Sequence, residues 1–235
     1  MVEQIDIPET NIMWCSVPLA EILGNNTRFE ARAFSVAAKN AQETIAKCKF
    51  NKKALYGDDA FTSVCYYPGR FKRNYISKIM PQAIGFLGSS EMLDLKPFPE
   101  KFLSKEQNDI DSLFIKQGDL LLSRSGTIGN VAFVSRTLSQ YLCSEHSIRL
   151  RDISDPGYIY AFLKTDIGQV LVKTNTFGSV VNQIEPDHLR NILIPNPPEE
   201  LKKEIHNLVV KSYDLRDESN DLIDEAEKLL VDELK

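Results

Sequence analysis

From Glu199 to residue 235 the chain reads EELKKEIHNLVVKSYDLRDESNDLIDEAEKLLVDELK, without one glycine or proline. A run of this length free of both breakers predicts a single long α-helix. Steps of four and three residues from Leu201 select Ile205, Leu208, Ser212, Leu215, Ser219, Leu222, Ala226, Leu229 and Glu233, a heptad seam with two serines near its middle. Val209, Ile223 and Leu230 widen the stripe, and Asn196 ahead of Pro197, Pro198, Glu199 and Glu200 predicts a capped start with acids in the first turn. At ~1.5 Å per residue the helix would reach roughly 55 Å, which predicts a stripe that overhangs the preceding domain and meets a partner helix. The competing reading is a helix folded back on its own domain.

This tail carries twelve acids against six bases, while the whole chain has a formal charge of -5. The rest of the chain is therefore close to neutral, which excludes a wholesale basic protein of the histone or ribosomal kind. Within it, residues 46–80 hold eight Lys or Arg against Asp58 and Asp59, interleaved with Phe50, Tyr56, Phe61, Tyr66, Tyr67, Phe71 and Tyr75. Basic and aromatic residues together suit nucleic acid; an ordinary strand pair with core aromatics and solvated lysines stays open as the alternative.

Residues 112–135 alternate apolar runs with Gly118-Asp119 and the Gly126 to Gly129 loop, predicting short strands joined by tight turns, and SIRLR at 147–151 continues the strand signal. After Asp155-Pro156-Gly157, the spacing of Ile159, Phe162, Leu163, Ile167, Val170 and Leu171 predicts an amphipathic helix. Residues 177–191 read as an exposed segment before the strand-like NILIP. The fold class expected is α+β: a strand-rich mixed domain with packed helices over 1–197, then a long coiled-coil helix over 198–235.

Catalytic signals are sparse. Asn196-Pro197-Pro198-Glu199 follows a strand as the Asn/Asp-Pro-Pro-aromatic motif of adenine-N6 methyltransferases does, but Glu199 cannot stack on a flipped base and no glycine-rich cofactor turn precedes it. Residues 125–130, SGTIGN, resemble a phosphate cradle without the Lys-Ser/Thr of a nucleotide-hydrolysing loop; a turn offering amides to one phosphate stays open. His146, His188 and His206 have no second histidine to complete a metal set, and Cys15, Cys48, Cys65 and Cys143 form no CxxC pair, so reduced packing cysteines are expected. A Ser-His-Asp assembly stays open because such residues meet only in space, although no GxSxG elbow occurs. No apolar run approaches the ~20 residues of a membrane span, and MVEQIDIPET lacks the regions of a signal peptide, so a cytoplasmic chain with no membrane association is expected.

GDLLLSRSGTIGN at 118–130, GYIYAFLKTDIGQ at 157–169 and FGSVVNQIEPDHLRNILIPNPPEELKKEI at 177–205 resemble the target-recognition domain of type I restriction-modification specificity subunits. The resemblance runs in order from about Trp14-Cys15-Ser16-Val17-Pro18-Leu19 to the terminal helix; its last block is the most specific, and the first 110 residues match loosely. In that family a full subunit carries two recognition domains, joined and separated by two antiparallel helices, each domain reading half of an interrupted site in double-stranded DNA. One domain and one helix imply a half-subunit that pairs with its own copy, or one half of a longer or methyltransferase-fused protein. The resemblance further implies a non-catalytic component without a cofactor, a partner adenine methyltransferase (M) subunit and an added restriction/motor (R) subunit.

The residues expected at DNA are Arg70, Lys72 and Arg73 after the Pro68-Gly69 turn, Arg124, Ser125 and Thr127 of the tight loop, and Ser179 and Asn182. Arg124 could fork onto a phosphate or guanine, or merely pair with Asp119 across the strands. Leu201, Ile205, Leu208, Leu215, Leu222, Ala226 and Leu229 are expected to hold a second copy, with the partner methyltransferase using the same helical region. The alternative class is a non-catalytic coiled-coil interaction module whose sheet domain binds protein or RNA.

Overall fold

The structure, a computed structural model, describes residues 16–24, 34–175 and 183–234. Helix α1 spans Leu19–Gly24 and α2 spans Val36–Lys47, the latter started by Ser35, whose hydroxyl accepts from the Ala38 amide at 3.2 Å. Strands β1 (Asn51–Tyr56), β2 (Ala60–Thr62) and β3 (Val64–Tyr66) follow in quick succession, and β4 (Ala83–Leu87) pairs antiparallel with β5 (Lys101–Ser104).

The expected strand-turn-strand is β6 (Leu120–Ser123) against β7 (Val131–Phe133), antiparallel with Leu121 opposite Ala132. After β8 (Leu142–Cys143), β9 (Ser147–Arg151) pairs antiparallel with both β6 and β3. Strand β10 (Leu193–Asn196) returns to pair antiparallel with β1, which pairs parallel with β2 on its other side. The described residues thus form three small sheets in the orders β10-β1-β2, β3-β9-β6-β7 and β5-β4-β8.

The leucine run of β6 is apolar throughout because its sheet is covered on both faces. Leu120 and Leu122 join Ile148 and Leu150 on one side, beneath helices α3 (Pro156–Lys164) and α4 (Asp166–Thr174), which bring Ile159, Leu163, Leu171 and Val172. Leu121 points the other way, with Ala132 and Val134, onto Leu87, Met92 and Cys143. Alternation along a strand puts neighbours on opposite faces, so a strand between two layers has no polar side.

Three sequence expectations need correction here. The single helix over 157–169 is two, because Thr165 is extended and its hydroxyl accepts from the Gly168 amide at 3.1 Å, capping α4 anew. The described part of the 177–191 segment is not all exposed: Ile184 and Leu189 are fully buried, and α5 (Pro186–Leu189) starts there with Glu185 and His188 capping one another. Asn196 does not cap the last helix; its side-chain oxygen accepts from Lys202 Nζ at 3.0 Å, and Pro198 is the cap residue of α6 (Glu199–Glu233).

Helix α6 is docked on its own domain through a mixed face, on which Ile205, Val209, Val210 and Tyr213 pack against the core beside a set of buried polar groups. Lys202 is buried between Asn196 and Glu199, His206 Nδ1 accepts from the Gly157 amide at 3.1 Å, and Tyr213 donates to the Tyr160 hydroxyl at 3.0 Å. A Cβ on Gly157 would stand 2.8 Å from the His206 carbonyl oxygen, so α3 reaches α6 this closely only with glycine at its start. Further along, buried Asp217 takes the Ser135 hydroxyl at 2.8 Å and the Thr137 amide at 3.2 Å, Asn220 donates to the Leu95 carbonyl at 2.9 Å, and Lys96 pairs with Asp224 at 2.6 Å.

The heptad leucines lie elsewhere on the helix. Leu208, Leu215, Leu222 and Leu229 are 56–65% exposed and Leu201 is 38% exposed, whereas Ile205 is withdrawn into the domain's own core. The fold-back reading of α6 therefore holds: a mixed polar and apolar face seats the helix, while a row of leucines seven apart stays uncovered in the single chain.

Candidate nucleic-acid interface

Three segments far apart in sequence meet at one end of the central sheet: residues 67–73 after β3, the β6–β7 turn, and residues 144–146 between β8 and β9. The turn is shaped by Gly126 and Gly129 at φ +74° and +86°, a region that L side chains rarely adopt. Its closing bonds run from the Ser123 amide to the Asn130 carbonyl at 2.8 Å and from the Gly129 amide to the Ser123 carbonyl at 3.2 Å. Gly126 and Thr127 are exposed at the tip, and the Thr127 and Ser123 hydroxyls are 3.1 Å apart.

Glu145 joins the segments. Its buried carboxylate takes the Arg73 guanidinium, with Arg70 Nε 3.7 Å from its other oxygen. Burial alone would raise its pKa, but its own backbone amide and the Arg73 guanidinium together hold it below the usual 4.5. Arg73 also lies over the Phe86 ring, 4.7 Å from its centre, so it is fixed on both sides and exposes little of itself. Arg70 stays 73% exposed and is the outward-facing cation of this pair.

Arg124 is similarly held, though not by Asp119. It pairs with Glu185, donates to Gln183 Oε1 at 3.1 Å and stacks 4.0 Å over Tyr67, whose hydroxyl donates to the same Glu185 and is thereby raised in pKa. Asp119 is instead taken by Arg151, at 2.9, 3.1 and 2.6 Å. Between these clusters, Ser125 Oγ meets His146 Nδ1 at 2.8 Å, while His146 Nε2 stands 3.8 Å from Glu145. A serine, a histidine and a carboxylate do meet, yet that last separation exceeds a hydrogen bond, and the carboxylate is taken by arginine.

The residues expected at DNA therefore divide. Arg70, Ser125 and Thr127 lie together with accessible side chains; Lys72 is exposed on the side of the segment nearer Gln107, which donates to its carbonyl at 2.8 Å. Arg73 and Arg124 are largely consumed by internal ion pairs and serve to hold the loops. Ser179 and Asn182 lie outside the described residues.

The sequence points to no place at this site for Glu145, His146 or Arg149, and His146 reads there only as a histidine without a metal set. Arg149 is fully buried, donating to the carbonyls of Ser144 at 3.0 Å, Ser147 at 2.7 Å, Leu113 at 3.4 Å and Cys143, with burial lowering its pKa. It thereby fixes the backbone of the turn that presents Glu145 and His146. SIRLR signals a strand but not the burial of its central arginine, which the layer of β4, β5 and β8 covers. Among the described residues no group of three His, Cys, Asp or Glu side chains is placed to hold a metal ion, and no helix is long and apolar enough to cross a membrane.

The architecture so far is that of an α+β head whose loops converge on a basic, hydrogen-bonding end and whose last helix carries an open apolar face. Residues 86–225 match the model of the type I restriction modification DNA specificity domain, and the chain belongs to that family. A solved chain of the type I R-M system, from work on its complex assembly and conformational transition, superposes with a TM-score of 0.51 at 18% identity, covering 90% of this chain and 53% of that one. The HsdS subunit from Thermoanaerobacter tengcongensis gives 0.47 at 16% identity, covering 86% and 50%, and the type IIG restriction endonuclease BpuSI gives 0.48 at 12%, covering 81% and 30%. This chain thus spans about half of each of the first two. Among curated proteins none matches the sequence.

Proposed function

We propose that this chain is a non-catalytic specificity component that reads one half of a bipartite site in double-stranded DNA and directs a partner adenine methyltransferase to it. The observation that carries the reading is the meeting of Arg70, Ser125, His146 and Thr127 at one end of the sheet from three separate segments. Phosphates would be met by Arg70, Lys72 and the amides and hydroxyls of the β6–β7 turn, which fix register; base edges would be read by whichever of these groups enters a groove. Arg73 and Arg124 support the loops, and Ser179 and Asn182 keep their expected DNA role as part of the proposal.

In this reading residues 1–197 are the target-recognition domain and 198–235 the spacing and pairing helix. The uncovered leucines of α6 would take the matching helix of a second copy or of the rest of a longer subunit, with the M subunit on the same region and an R subunit added for cleavage. The acidic remainder of α6 disfavours DNA there. The setting would be cytoplasmic, and the methyl-transfer chemistry would belong to the partner.

The test is selection of randomised duplexes by the purified chain at two salt concentrations, alone and with the cognate methyltransferase. Enrichment of a two-part motif, with affinity falling steeply in salt, is expected. No enrichment with the partner present would overturn the reading and leave the interaction-module alternative.

A further inference from the structure

Beyond Arg70 the chain does not return at once to the sheet. The stretch RFKRNYISKIM at residues 70–80 holds four cations and no acid. Its first half is tied down: the Asn74 amide donates to Gln107 Oε1 at 3.0 Å, the Ile76 amide donates to the Phe102 carbonyl at 2.9 Å, and Tyr75 packs edge-on to Phe86. Two consecutive turns follow, closed by Met80 N to the Ser77 carbonyl at 3.1 Å and Ala83 N to the Met80 carbonyl at 2.9 Å. At the first of these turns Ile79 is 83% exposed, with Met80 beside it also exposed.

A β-branched residue is a poor choice for an outward turn position, where Gly, Asn, Asp and Ser serve the backbone better. Among the described residues, the Ile79 side chain joins none of the buried clusters. Its surroundings are nevertheless continuous with the interface: Tyr75 touches Phe86, Phe86 carries Arg73, and Arg73 holds Glu145 beside His146 and Ser125. Lys101 lies 5.9 Å over Tyr75, adding a further cation. An apolar tip on a firmly tied, acid-free basic segment suits a surface that is polyanionic outside and apolar between its layers, and next to an interface proposed to read DNA that surface is the stacked bases of a duplex.

We propose that the turn at residues 77–80 is a wedge: Ile79, with Met80 beside it, enters one base step of duplex DNA held at the neighbouring interface, unstacking and kinking it. This rests on the DNA-reading function proposed above. Lys78 and Lys72 would hold the phosphates on either side of the parted step, so that sequence is also read through how easily that step opens.

The test uses the full chain and a duplex containing the selected motif, with 2-aminopurine substituted at one adenine position at a time and dyes at the two ends. A rise in 2-aminopurine emission confined to one step, with a shortened end-to-end distance, is expected on binding. Ile79→Ala should abolish both signals and weaken binding roughly tenfold or more, with an unchanged thermal melt; Thr127→Ala should weaken binding while leaving the emission of the saturated complex intact. Tight binding without any local rise in emission overturns the wedge while sparing the recognition reading. Ile79→Ala that binds and unstacks like the parent also overturns it, as does an Ile79→Ala chain that is normal on DNA but no longer captures the methyltransferase. Failure of the parent chain to bind any duplex, with the partner present, overturns both.

Discussion

Replacing Asp217 by alanine isolates the polar part of what seats α6 on the domain. Asp217 is 4% exposed, and its two oxygens accept separately from the Ser135 hydroxyl and the Thr137 amide, at 2.8 and 3.2 Å. Hydrogen bonds to a charged acceptor contribute about 1.5–3 kcal/mol each, and both donors are left in a site with little water when the carboxylate is removed. Because one carboxylate serves both, their sum is not fully additive, and a loss of about 3 kcal/mol is expected for Asp217→Ala. For a chain of this size that corresponds to a fall in Tm of roughly 6–12 °C. Asp217→Asn keeps one acceptor oxygen and should lose about half as much. Urea unfolding measures the change, provided the slope is unaltered, and amide exchange at Thr137 and along the facing turns of α6 shows where it acts. Asp221, one turn on and pairing with Arg136 at 2.5 Å in the open, gives the contrast: Asp221→Ala should leave the midpoint unchanged. If Asp217→Ala unfolds at the parental urea concentration, or the exposed pair matters more than the buried acceptor, the polar-seat account of α6 is wrong.

Leu215→Glu and Leu222→Glu change residues with no role in the domain's core, so the urea midpoint should stay put while self-association, read by sedimentation, or capture of a partner helix is lost; a stability loss instead would mean the leucine row is structural. Glu145→Gln tests the interface from within. Because the Glu145 pKa lies below the usual 4.5 in the folded chain, its ionised form contributes stability that is complete above about pH 4.5 and disappears as pH falls through the folded value. The parent's advantage over Glu145→Gln should accordingly be constant at neutral pH and shrink on acidification; an advantage that grows in acid would contradict the assignment. Burial pushes the Cys65 and Cys143 thiols up to about 12. Both should therefore resist a thiol reagent at pH 8 until the chain unfolds, while half-buried Cys48 reacts ahead of them.

Local signals were enough for several elements. The glycines at 126 and 129 announce the β6–β7 turn, NILIP announces β10, and the breaker-free terminal run announces α6, because each depends on neighbours in sequence. The break at Thr165 was also written locally, as a Thr-Asp pair able to cap α4, but it was masked by apolar spacing that continues across it. The interface was legible only in halves. The basic-aromatic segment and the glycine turn stood out, yet Glu145, which binds the segment's arginines, lies over seventy residues from them. Charge composition treats Arg70, Lys72, Arg73 and Arg124 alike; only the fold separates the outward-facing from the internally paired. The docking face of α6 escaped notice for a related reason, since Lys202, Asp217 and Asn220 look like solvent residues until their partners arrive.

Arg149, buried under the turn at residues 144–146 and bonded to four backbone carbonyls and the Ser147 hydroxyl, has an evolutionary consequence. Its four carbonyl acceptors are present whatever side chains the neighbouring turn carries, so residues at the loop tips can be exchanged without disturbing their common root. On the DNA-reading function proposed above, a protein built this way would acquire a new specificity at little cost in stability: mutation would explore Arg70, Thr127 or Ile79, while the arginine and the paired Glu145 and Glu185 keep the backbone beneath them in place.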